Sequence, residues 1–202
     1  TRTSQRYQDE VARLASEWGC HATPCSDLIT VALRHWQHGF NPLRDWVVAS
    51  GIDSRSREKR LPRWAWTLPN DQLAALLARL MGSDGYAVTS GVVTVAITLT
   101  SESLVRDIAD ALLRFGVWGH IRSHRTNYIR RDGTESIAWT YRIATECVRT
   151  FADEVGMWGK EDSLNACLDA LTDREDKLIR RWRTRNCPPG YHWEPACRRC
   201  TS

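Results

Sequence analysis

The chain repeats itself, and the repeat limits its fold more than any other feature. Asp9–Gly19 aligns with Arg106–Gly116, each an amphipathic helical pattern closed by an aromatic residue and glycine. Downstream, Ile29–Leu33 aligns with Trp139–Ile143, runs in which core and solvent positions alternate as in a strand. Leu43–Gly51 then aligns with Val148–Gly156, again a helical pattern ending in glycine. The repeated unit is helix, hairpin, helix. A chain built from two such units is α+β, with antiparallel sheets carrying their helices on one face.

The second copy is preceded by more than the first. Over residues 68–86 an apolar helix is expected, with Leu73, Leu76, Leu77 and Leu80 on one face. Ala74, Ala75, Ala78 and Gly82 leave a flank without bulk, where another backbone can approach closely. Ala75, Ala78 and Gly82 are therefore expected to contact a second helix. Asp84 falls at the helix C-terminus, the negative end of the dipole, a position unfavourable by about 0.3–1 kcal/mol unless a cation lies nearby. Gly85 reads as the glycine that ends the helix in a left-handed conformation. A strand pair, 86–90 and 92–99, follows.

The run Leu76–Gly85, with the preceding Leu61–Pro69, resembles the signature helix of LAGLIDADG (DOD-type) homing endonucleases in the form found in inteins. The family unit is signature helix, hairpin, helix, hairpin, helix. Residues 68–158 resemble one complete unit, and residues 5–51 the back half of another. By that logic a signature helix and two strands belong ahead of Thr1, so the chain reads as part of a longer one. The organisation expected is a partial unit and basic linker over 1–60, a complete unit over 61–160, and a charged helix with a cysteine-rich tail over 161–202. The fold expected is a saddle of antiparallel sheets.

The hairpin of the second copy has the clearest two-faced pattern. His120, Arg122, His124, Thr126, Tyr128 and Arg130 alternate onto one side of its first strand, and Ser136, Ala138, Thr140 and Arg142 onto one side of its return strand. Ile137, Trp139, Tyr141 and Ile143 take the other side. A twisted basic ribbon without carboxylates fits the major groove of duplex DNA, where base edges are distinguishable. An ordinary solvated sheet face is the bland alternative. The first copy offers less, chiefly His21 and Arg34. The run Arg55–Arg60 reads as a basic linker, either solvated or in contact with backbone phosphates.

Of 28 basic side chains, only Lys59, Lys160 and Lys177 are lysines. Arginine suits phosphate because its planar fork donates paired hydrogen bonds. The net charge of +4 is too small to argue nucleic-acid binding alone. Seven cysteines without a leader argue against a disulfide framework. Cys20, Cys25, Cys147 and Cys167 read as core or incidental thiols. Cys187, His192, Cys197 and Cys200 offer a zinc-type donor set, though only the last two cysteines have the close spacing usual for zinc. An unstructured basic tail is the alternative. No apolar run is long enough to cross a bilayer, and a cytoplasmic protein is expected.

The resemblance implies double-stranded DNA as partner, Mg²⁺ as cofactor and Asp84 as a catalytic metal ligand. It also implies a second acidic residue, from another signature helix. That helix would come from a missing N-terminal fragment or a second chain. The family often places a lysine near the metals. No lysine lies in the matching strands, and Arg122 or Arg142 would substitute imperfectly. Splicing blocks, including a terminal His-Asn, are not present at this C-terminus. The activity implied is metal-dependent hydrolysis of duplex DNA by an intein-associated homing endonuclease domain, incomplete as this chain. Two other readings remain: a non-cleaving DNA-binding regulator on the same fold, and a zinc-tailed interaction protein.

Overall fold

The computed structural model describes residues 2–24, 31–35, 42–129, 133–186, 192–194 and 199–201, with side chains over 5–20, 42, 44–127, 129 and 133–174. The first copy gives α1 (Arg2–Glu17), β1 (Cys20–Pro24), β2 (Val31–His35) and α2 (Pro42–Ala49). A 3-10 turn, Arg63–Thr67, then leads to α3 (Asn70–Asp84). The second copy continues with β3 (Gly85–Val88), β4 (Thr94–Leu99), α4 (Glu102–Leu113), β5 (His120–Ile129), β6 (Glu135–Thr145) and α5 (Val148–Glu154). Last come α6 (Glu161–Asn186) and the short strands β7 (His192–Glu194) and β8 (Arg199–Thr201). From α3 to α5 the order is helix, hairpin, helix, hairpin, helix, as expected of a complete unit.

The two copies end their helices in the same way. Gly19 and Gly116 follow the first helix of each copy at φ 66° and 69°, and Gly51 and Gly156 follow the last at 69° and 79°. These left-handed positions favour glycine, because a Cβ would crowd the neighbouring backbone. The equivalent amides Trp18 N and Phe115 N donate to Ala15 O and Leu112 O at 3.1 and 3.0 Å.

One antiparallel sheet organises the second copy, in the order β3-β4-β6-β5. Its inner face carries Val95, Ile97 and Ile143, which pack with Leu73, Leu77 and Met81 of α3, Ile108 of α4 and Phe151 of α5. This core explains the helix pattern: Leu73 and Leu77 are fully buried, as is Met81 one turn on. Leu76 and Leu80 are only half-buried and line a surface cleft. Helix α6 begins at Glu161, well before the charged stretch 173–185, because Leu164 and Cys167 dip into the same core.

The first copy is not closed in this way. Its hairpin forms a separate two-stranded sheet. Phe115 and Phe151 are 7% and 0% exposed, whereas their counterparts Trp18 and Trp46 are 41% and 39% exposed. Leu14, counterpart of the buried Ala111, is also exposed. Trp46 stacks instead in a surface row with Trp18 and Trp64, each ring pair 5.9 Å apart. In the second copy those positions belong to the core shared with α3, β4 and α6. Nothing equivalent lies on the first copy among the described residues.

Candidate functional site

The outer face of the sheet is built by register. Direct cross-strand partners point to one side of an antiparallel pair. Arg122 faces Arg142, His124 faces Thr140, Thr126 faces Ala138 and Tyr128 faces Ser136. His120 faces Ala144, which continues through Ala96 to Tyr86. The described positions of the expected basic ribbon therefore share one face. Arg130 lies outside the described residues, and Arg34 has only its backbone described, opposite His21 in the β1–β2 register.

Contacts across this face order its polar groups. Arg142 Nε donates to Tyr86 Oη at 2.8 Å, and Tyr86 Oη meets Thr98 Oγ1 at 3.2 Å. Thr126 and Thr140 share a hydroxyl contact at 3.2 Å. Small buried residues, Ala96, Ala138 and Ala144, form the floor between them. Tyr86 was not among the residues expected on this surface. Its place follows from pairing with Ala96, two strands away from the basic ribbon.

The opposite side of the hairpin differs from expectation. Ile143 is buried, but Ile137 and Trp139 are 46% and 54% exposed. Ile137 and Trp139 line a shallow cleft with Arg57 of the linker and Glu102 and Ser103 of α4. Arg125 shares that side, opposite Trp139.

Asp84 ends α3 and is exposed, two residues before Tyr86 and so at the β3 edge of the basic face. The cation anticipated for this helix end is Lys160, from the α5–α6 connection. Its Nζ donates to Ser83 O at 3.0 Å and Gly85 O at 2.5 Å, satisfying carbonyls that a helix end leaves open. Burial pushes the Lys160 pKa below the usual lysine range, and the Asp84 charge works against that fall. Gly85 does not take the left-handed conformation; at φ −78° and ψ 165° it is already extended. Its amide donates to Met81 O, and a Cβ there would clash with the same carbonyl. Glycine is needed for close approach, as the chain turns directly from helix into strand.

The small flank of α3 is occupied at Gly82. A Cβ at Gly82 would run into the Trp158 carbonyl and the Tyr7 hydroxyl. Trp158 N donates to Ala78 O at 3.1 Å, and Tyr7 Oη donates to Arg79 O at 2.8 Å. Ala75 is exposed. The close approach expected from another signature helix is made at Ala78 and Gly82 by this chain's own α1 and α5–α6 connection. Burial, which outweighs the opposing Arg79 charge, pushes the Tyr7 pKa up to about 12, so its hydroxyl remains a donor.

Beside Asp84 lies an open cleft of about 710 Å³, lined by Lys59, Arg60 and Arg79 as well as Leu76, Leu80 and Trp64. The linker is fixed there. Ser101 Oγ donates to Lys59 O at 2.6 Å, and the buried Asp107 accepts from Arg60 Nε and Nη2 and from Leu61 N. Sequence alone read 55–60 as a loose basic run. No local signal reveals its partners, which lie more than 40 residues away.

Mg²⁺ is held through one or two carboxylates together with substrate phosphates. Among the described residues no three His, Cys, Asp or Glu side chains converge. Asp84 supplies one carboxylate and no second one stands beside it in the cleft lining. Among the described residues the cleft thus offers the smallest protein donor set such an ion takes, one carboxylate. For the proposed zinc ligands, only the backbones of His192 and Cys200 are described, the register pairing them with Thr201 and Trp193. Cys187 and Cys197 lie outside the described residues.

Glu10 links α1 to this region. It accepts from Arg13 Nε at 3.0 Å and Arg79 Nη2 at 3.1 Å, and these bonds lower its pKa to about 2 from 4.5. A depressed carboxylate contributes stability above the unfolded pKa and loses it as pH falls toward the folded one. Glu10→Gln should therefore cost stability at pH 7, by less than about 1 kcal/mol because both arginines are solvated. The difference from wild type should vanish between pH 4.5 and 2. Urea midpoints across that range would measure it, and a pH-independent difference would contradict the assignment.

Residues 71–156, from α3 to the glycine after α5, match the family model of the LAGLIDADG-like domain. Curated relatives include Protein RecA of Mycobacterium tuberculosis (strain ATCC 25618 / H37Rv), 32% identical over 164 residues that cover 75% of this chain and 21% of the relative. The A-type DNA gyrase protein of Mycolicibacterium flavescens is 28% identical over 137 residues, covering 66% of this chain and 23% of the relative. An iron–sulfur cluster assembly SufBD family protein of Mycobacterium leprae is 29% identical over 119 residues, covering 57% and 14%. The chain thus spans less than a quarter of the length of each of these relatives.

Proposed function

We propose that this chain is the DNA-binding part of an intein-type homing endonuclease, and that it cleaves duplex DNA with Mg²⁺ once a second acidic helix joins it. The observation that carries the reading is the single outer face holding Arg122, Arg142, His120 and His124, with Asp84 at its β3 edge. A twisted two-stranded ribbon of this width enters the major groove, and its arginines and hydroxyls are the groups that read base edges and phosphates there. The relatives support the insertion. A RecA protein, a DNA gyrase and a cluster-assembly protein share no activity by name, yet each carries one segment like this chain. A segment that recurs in such different hosts behaves as an element inserted into them.

The exposed row Trp18–Trp46 supports the need for a second acidic helix, since its counterparts in the second copy are buried in the core shared with α3, β4 and α6. A specific observation favours a second reading, a DNA-binding regulator that does not cut: among the described residues lining the cleft, Asp84 stands without another carboxylate.

Binding to duplex DNA should weaken with salt. Replacing Arg122, Arg130 and Arg142 by Ala should reduce the slope of log K against log salt by about one for each lost phosphate contact. Filter binding at several salt concentrations reads this directly. A slope equal to wild type would remove the basic face from the account.

A further inference from the structure

The two copies align Glu10 with Asp107, and each of these acids holds an arginine outside its own helix. Asp107 takes Arg60 of the linker at 2.7 and 3.2 Å, and Glu10 takes Arg79 of α3 at 3.1 Å. Both arginines line the cleft beside Asp84. We propose that Arg60 and Arg79 are two phosphate-binding arms flanking Asp84, aimed by repeat-equivalent carboxylates, and that their ligand is the backbone of duplex DNA. The inference rests on the DNA reading above and extends it from the sheet face into the cleft.

In both pairs the acid is the more buried partner. The acid side chains Asp107 and Glu10 are 4% and 21% exposed, whereas the side chains of Arg60 and Arg79 are 66% and 44% exposed. The acid ends are the anchored ones and the guanidinium ends face water. A guanidinium carries five donors. Asp107 engages Arg60 through Nε and Nη2, along one edge of the guanidinium. Arg79 is held through Nη2, with its Cζ 5.1 Å from the Trp158 ring centroid. An arginine steadied in this way loses less freedom when it meets a phosphate, and its planar fork matches the phosphate oxygens.

The cleft lining carries Lys59, Arg60, Arg79 and Asp84. Asp107 and Glu10 already pair with the two arginines, so a phosphate would be held by the guanidinium donors that these acids leave open. The repeat gives the arrangement its logic, since equivalent acids on α1 and α4 would place one arm on each side of the cleft for the two strands of a duplex.

The test is equilibrium binding of the full chain to a 20-base-pair duplex at several salt concentrations, run beside the Arg122/Arg130/Arg142 variant. Arg60→Gln and Arg79→Gln should each lower the salt slope by about 0.9, and the double variant by about their sum. Wild-type protein should also show both arginines shielded by the duplex from an arginine-selective dicarbonyl reagent, read by mass spectrometry. Asp107→Asn keeps the Arg60 charge but loosens its anchor, so it should abolish shielding of Arg60 and leave that of Arg79. If a variant does not fold, shielding in wild type decides. Binding that responds to the ribbon variant, with unchanged slopes for both Gln variants and no shielding, would overturn this proposal alone. Absence of DNA binding by wild type would overturn the DNA reading and this proposal with it.

Discussion

Asp84→Asn should reduce the proposed Mg²⁺-dependent cleavage by at least about a hundredfold once a second acidic helix is supplied, the scale on which preorganised charge at a reacting centre acts. The internal repeat supplies the way to build that protein. A second copy of residues 68–101 placed ahead of α1 offers the first copy a helix and strand pair like those that share the core of the second. It also brings another carboxylate like Asp84. Each acid would then contribute one carboxylate, and the DNA phosphates would supply further oxygens. Asparagine preserves the size of Asp84 and its helix end but removes the charge the ion needs. A plasmid carrying the uninterrupted host site, incubated with the extended protein, its Asp84→Asn variant and the 202-residue chain, gives the comparison. Cutting is expected only from the first. Full activity of the Asn variant, or vigorous site-specific cutting by the 202-residue chain as a monomer, would sink the assignment of Asp84.

Local periodicity and turn chemistry made much of this legible in the sequence. The repeat could be seen because both copies close their helices with glycine, and Gly19, Gly51, Gly116 and Gly156 all adopt positive φ. The faces of the hairpin were readable because strand alternation has a period of two, so register follows once Arg122 opposes Arg142. Contacts between distant segments were not readable. The stretch around Lys160 carries no sign that its ammonium caps α3, 75 residues away from Gly85. Nothing near Gly82 shows that Tyr7 and Trp158 fill its flank. Gly85 was misjudged because two different needs select glycine, positive φ and lack of a Cβ, and only the backbone tells them apart. Charge marks the later part of α6 in the sequence, whereas its start is anchored by Leu164 and Cys167, whose partners are distant in the chain.

The unequal closure of the two copies gives the largest stability contrast. Phe151→Ala should cost about 3–5 kcal/mol, the range for removing a fully buried aromatic ring, because Phe151 is fully buried in the core shared by α3, α4, α6 and the sheet. Its counterpart Trp46 has the same place on α2 but is 39% exposed, and its main contacts are the rings of Trp18 and Trp64. Trp46→Ala should cost about 1 kcal/mol, the scale of such ring pairs. At about 2–4 °C per kcal/mol for a chain of this size, the midpoints should fall by about 6–20 °C for Phe151→Ala and by about 2–4 °C for Trp46→Ala. Calorimetry of the two variants with wild type measures both. In the protein extended by a second copy of 68–101, the cost of Trp46→Ala should rise toward that of Phe151→Ala, because the added helix buries the ring. Equal costs in the unextended chain would mean that the first copy already has a closed core. The exposed tryptophan row would then no longer argue for a second acidic helix.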